Sequence, residues 1–154
     1  MGQTDAARGV LAAVVGVAVT ALMGSCASYP IPRAPDGDPI LAARALSDAP
    51  DVVRAGDAER SCGAFVLGQG EELPQESLTC LVQAANAGQH AELSWSSPTT
   101  EGDPIVSFAF TAEGGDVTVY ETNAFDSYGG GQTWTQTSCA AERLSPVLGC
   151  TSLD

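Results

Sequence analysis

LPQESLTCLVQAANAGQHAELSW, residues 73 to 95, contains the change of period on which the fold turns. Through its first part Leu78, Leu81, Val82 and Ala85 recur at three- and four-residue spacing, which places them on one face of a helix. Pro74 and Glu76 stand where a helix starts and Gly88 where one stops. From Ala91 the spacing falls to two: Ala91, Leu93 and Trp95 alternate with polar neighbours, the pattern of a half-buried strand. Alternation returns at Val106, Phe108 and Phe110, at Val117 and Val119, and around Trp134 within Thr133 to Thr137. Ala112-Glu113-Gly114-Gly115-Asp116 supplies a glycine-bearing hairpin connection. The expected architecture is α+β, one helix packed on about four mainly antiparallel strands.

The chain opens with Arg8 and an apolar run from Val10 to Met23. Crossing about 30 Å of hydrocarbon takes about 20 apolar residues, so this shorter run reads as the core of an export signal over residues 1–25. It ends in Met23-Gly24-Ser25-Cys26, which resembles a bacterial lipobox and implies a lipid on Cys26. The cysteine count agrees, since five is odd for an exported chain and removing Cys26 leaves four that can pair. Three connectivities are open; closing the shortest loops costs least entropy and favours Cys62–Cys80 with Cys139–Cys150.

Residues 26–61 shift to Pro, Ala, Asp and Arg and read as a tether reaching roughly 30 Å from a membrane. Within it, Pro39 to Leu46 has the pattern of a short helix, too marginal to stand unless it docks. Residues 62–154 form the expected domain, small enough for two disulfides to matter. The net charge is −13, with no lysine, and beyond Cys62 only Arg143 is basic. That balance excludes nucleic acid and electrostatic adhesion to anionic lipid as partners.

From the helix end to Cys150 the chain resembles a family of Gram-positive lipoproteins that is itself a domain of unknown function. The matching pieces are Asn86-Ala87-Gly88, Thr99-Thr100-Glu101-Gly102-Asp103-Pro104-Ile105, Asp126-Ser127-Tyr128-Gly129, and Cys139 with Gly149-Cys150. Phe125 departs from the pattern, where the family often has a basic residue, and Cys62 and Cys80 need have no counterpart in it. The resemblance implies a lipid-anchored, extracytoplasmic domain and reinforces the Cys139–Cys150 pairing; it implies no reaction.

Thr99 to Ile105 admits two readings. As a turn, Gly102 supplies the permissive backbone and Asp103-Pro104 starts the next strand. As a site, Glu101 and Asp103 would join Asp126, Asn123 and Tyr128 in binding a polar ligand or a cation, and calcium is the cation such oxygen ligands suit. The expectation is a binding domain with no cofactor beyond that calcium and with an envelope protein or small ligand as partner; the alternative is an envelope structural or protein-interaction domain that uses its acidic surface. An acid–base pair drawn from Glu101, Asp103, Glu121 and Asp126 is the weakest reading. His90 is the sole histidine and no GxSxG elbow accompanies it, so no catalytic residue is assigned. Gly129 to Gly131 lacks the Lys-Ser/Thr of a phosphate loop. Trp134 could floor a groove or pack in the core.

Overall fold

A computed structural model describes residues 36–129, 134–145 and 149–150. Cys26, the export signal and the first part of the tether lie outside the described residues, as do Gly130, Gly131 and Thr133. Among the described residues no helix is long and apolar enough to cross a membrane.

The helix expected from the 73–95 stretch is α3, Gln75–Asn86, and Ser77, Leu81, Ala84 and Ala85 form its buried face. Two bonds close its end, Gly88 N–H to Ala85 O at 3.1 Å and Gln89 N–H to Ala84 O at 2.9 Å, the pairing that satisfies the last carbonyls of a helix stopped by glycine. The alternating runs are β2 (Ala91–Pro98), β3 (Pro104–Thr111), β4 (Asp116–Thr122) and β5 (Trp134–Ala140). They make an antiparallel meander, and Ala112 N–H bonds Asp116 O at 2.8 Å across the glycine connection.

The domain is α+β, and among the described residues its mixed, mostly antiparallel main sheet has five strands rather than about four. The extra strand is β1, Arg60–Val66, at the edge and parallel to β2. A bulge between Ser61 and Ala64 breaks its alternation, which hides it from a period-two reading. Among the described residues there are also three α-helices rather than one: α1 (Pro39–Arg44) and α2 (Asp51–Ala55) precede β1. They occupy part of the segment expected as the tether, and Ile40, Ala43 and Val53 pack there in a core cluster with Val106 and Phe108.

The reason for the second helical layer lies in the register. Leu93 pairs with Ala109, and Ala109 with Val119, so odd-numbered positions of β2, β3 and β4 share a face. The apolar residues of β2 and β4 are odd (Ala91, Leu93, Trp95, Val117, Val119), but the large ones of β3 are even (Val106, Phe108, Phe110). The sheet therefore carries apolar surface on both sides. α3 covers the odd face, where Leu81, Ala84 and Ala85 meet Leu93, Trp95 and Val119. α1 and α2 cover the even face, where Ile40, Ala43, Ala49 and Val53 meet Val106, Phe108 and Phe110. Burying side chains of this size contributes roughly 1.5–3 kcal/mol each for the larger ones, enough to hold two helices too short to persist alone.

Three contacts fix the second layer. The Asp38 carboxylate caps α1 by accepting Ile40 N–H at 2.8 Å. The Arg44 guanidinium donates to Val53 O, tying α1 to α2, and to the Glu92 carboxylate on β2. It also lies over the Phe108 ring, 4.9 Å from the centroid. On the opposite side Cys62–Cys80 fastens β1 to α3, and Cys139–Cys150 fastens β5 to the short pair β6 (Leu144–Ser145) and β7 (Gly149–Cys150). Both disulfides are those favoured by the shortest loops, with separations of 18 and 11 residues, and each contributes about 3 kcal/mol.

Removing one partner of a largely buried ion pair strands the other, so Arg44→Ala is expected to cost about 3 kcal/mol in denaturant unfolding. Arg54 pairs with Asp51 at 2.6 Å on the surface, and Arg54→Ala is expected to cost less than about 1 kcal/mol. Equal costs for the two would show that α1 is not anchored through Arg44.

Candidate functional site

Thr99 to Asp103 is the turn between β2 and β3, which close on the pair Pro98 and Pro104. Thr99 N–H bonds Asp103 O at 2.8 Å, Gly102 N–H bonds Thr99 O at 3.0 Å, and Asp103 N–H bonds Thr99 Oγ1 at 3.2 Å. Gly102 has φ 95°, a conformation that costs other residues strain. The Asp103 carboxylate reaches out of the turn and accepts Ser127 N–H at 2.8 Å, 24 residues downstream. That bond joins the β2–β3 turn to the loop that leaves β4.

The second loop closes on its own aspartate. Asp126 N–H bonds Asn123 O at 2.9 Å, and Asp126 Oδ1 accepts Tyr128 N–H at 2.9 Å. A Cβ on Gly129 would stand 2.3 Å from Asp126 Oδ2, so a side chain here would displace the Asp126 carboxylate. Tyr128 is 78% exposed and Glu101 is exposed at the turn tip. The structure thus brings Asp103 and Asp126 to one end of the sheet, where each carboxylate accepts a backbone N–H and orders a loop. It leaves Glu101 and Tyr128 on the outer surface.

Beside that turn, on the odd face, is a cleft of about 410 Å³. Ser97, Ile105, Ser107 and Glu121 supply its sheet side, and Gly68, Gly70 and Glu71 from the β1–α3 connection supply its wall. Ser107 Oγ donates to Glu121 Oε2 at 3.2 Å, and Gly68 N–H donates to Glu71 Oε2 at 2.7 Å. Both carboxylates are consequently held in place with oxygen lone pairs to spare. In the sequence Glu121 is one of several acids, and nothing local marks Glu71, Ser97 or Ser107. The cleft is assembled from β2, β3, β4 and a loop, and only the register shows that Ser97, Ser107 and Glu121 share a face.

His90 lies at the helix-to-strand junction, its ring stacked against Phe110 with centroids 6.2 Å apart. Trp134 packs against the even-face core, 6.0 Å from Phe108, and its Nε1 hydrogen has no acceptor among the described residues. Of its two readings, packing is the one seen. Among the described residues no group of three or more His, Cys, Asp or Glu side chains is placed to hold a metal ion. No family model, curated protein or solved structure matches this chain.

The turn reading of Asp103 predicts a stability cost with no ligand present. Asp103→Ala is expected to lose about 1–2 kcal/mol of unfolding free energy by leaving Ser127 N–H without its acceptor. Glu101→Gln is expected to change it by less than about 0.5 kcal/mol. Equal effects in chemical denaturation would remove the distinction between a loop-joining aspartate and a surface glutamate.

Proposed function

We propose that this chain is an exported, lipid-anchored domain that binds a small ligand rather than transforming one. The observation that carries the proposal is the cleft of about 410 Å³ beside the 99–105 turn, within the size range of small-molecule sites. Its lining moves the proposed contacts from the loop aspartates to Glu71, Glu121, Ser97 and Ser107. Two carboxylates, two hydroxyls and the apolar Ile105 and Pro98 suit a ligand with a positive charge and a short apolar body, such as an organic amine; calcium is the inorganic alternative. The lipobox resemblance at Cys26 supports the anchor, and the family motif supports an extracytoplasmic location. No residue pair is proposed as catalytic.

A ligand that binds only the folded state adds RT ln(1 + [L]/Kd) to stability, about 2.7 kcal/mol at a hundredfold excess over Kd. Thermal unfolding of the oxidised chain from Ala27 onward is expected to shift upward with a panel of organic amines or with calcium over chelator. The shift should vanish in Glu71→Gln and Glu121→Gln and persist in Glu101→Gln. A shift retained in both cleft variants, or none with any amine or with calcium, would overturn the proposal.

A further inference from the structure

The two edges of the sheet differ in a way that the cleft does not explain. β1 is a guarded edge: its bulge interrupts the ladder, Arg60 stands at its start, and Cys62 is held by its bond to α3. β5 lacks the bulge and the charge, although its Cys139 is likewise held, by its bond to Cys150. It pairs with β4 over seven consecutive positions without a bulge, from Thr122 with Trp134 to Asp116 with Ala140. Among the described residues no other strand joins its outer side.

Composition makes the contrast sharper. In a chain with 19 acidic and 6 basic residues, two of the five sheet strands carry no charge, β3 and β5. β3 is central and Val106 to Thr111 are buried, so a charge there would be expensive. Thr135 to Ser138 of β5 are exposed, and burial gives them no reason to be neutral. A neutral run of strand formers along an open edge is the composition of a surface that pairs.

We propose that β5 is a homotypic docking edge, through which two copies of this chain pair antiparallel and continue one sheet across the interface. A register centred on Thr137 sets Thr137 opposite itself and Gln136 opposite Ser138, so neutral side chains meet neutral ones and threonines meet in a cross-strand pair. The nearest acids in the ladder, Asp116 and Glu121, are on β4. Between β4 of one copy and β4 of the other lie three strand spacings of about 4.8 Å, or about 14 Å. That exceeds the screening length of about 8 Å at physiological salt but not the length of about 30 Å in dilute buffer. Repulsion between two acidic copies is therefore muted in salt, and association through β5 strengthens as salt rises. A basic peptide docking on this acidic chain would show the reverse. With Thr135 to Ser138 polar and exposed, pairing adds main-chain hydrogen bonds and little apolar burial, so the dimer is weak and reversible.

Sedimentation velocity over a concentration series, with the oxidised chain from Ala27 onward in low and in high salt, tests this directly. The expected result is a monomer–dimer equilibrium that tightens in high salt and weakens at least tenfold in Thr137→Glu, which sets like charges opposite each other at an exposed position. In parallel, amide exchange at Thr135 to Ser138 should slow as concentration rises. A monomer under every condition, a dimer unaffected by Thr137→Glu, or association that falls with salt would each overturn the proposal.

Discussion

The opposed phase of apolar residues in neighbouring strands is the constraint from which the rest of the structure follows. Leu93 and Val119 point one way and Phe108 points the other, while the register locks all three strands together. A sheet of this kind cannot leave one face to water, because each face carries large side chains whose exposure would cost roughly 1.5–3 kcal/mol apiece. Two layers are required, and they are built differently. α3 has twelve residues, a glycine stop and a disulfide to β1. α1 and α2 have six and five residues and depend on Arg44, which reaches α2, β2 and the Phe108 ring at once.

Once both faces are covered, the places left for a ligand or a partner are few. One end of the sheet carries the 99–103 turn, tied to the 123–129 loop by the Asp103 carboxylate. That bond spends on architecture an aspartate that composition alone would offer as a ligand. The cleft beside it takes its carboxylates from Glu71 and Glu121, each positioned by a donor but exposed to solvent. The middle of β5, Thr135 to Ser138, is exposed. The cleft and β5 adjoin at one ladder pair, since Glu121 of the cleft lies opposite Thr135 of β5.

Much of the fold was legible wherever the responsible forces are local. The 3.6-residue period of α3, the alternation in β2, β3 and β4 and the glycine connection at 112–116 are each contained in a few neighbouring residues. The disulfide pairing followed from loop length. What escaped depends on distant partners. β1 exists because it lies parallel to β2, and its bulge erases the period that would announce it. α1 and α2 are too short to persist without docking, and Arg44 meets Glu92 across 48 residues. For the candidate site, the turn role of Gly102 and Asp103 could be read from their chemistry, but Ser127 as the acceptor's partner could not. The cleft was invisible because its lining converges from four segments.

Native-state hydrogen exchange on the intact oxidised chain tests the two-layer account most directly, since it reports whether parts of a protein open together. The amides of Ala42 and Leu46 in and after α1 donate to Asp38 O and Ala43 O, and Gly56 after α2 donates to Val52 O. If the even-face layer is integral, these amides open at a free energy approaching that of Phe108 in the centre of the sheet. Exchange near the unprotected rate at Ala42, Leu46 and Gly56, with Phe108 still protected, would instead make residues 38–56 a tether that touches the domain without being part of it.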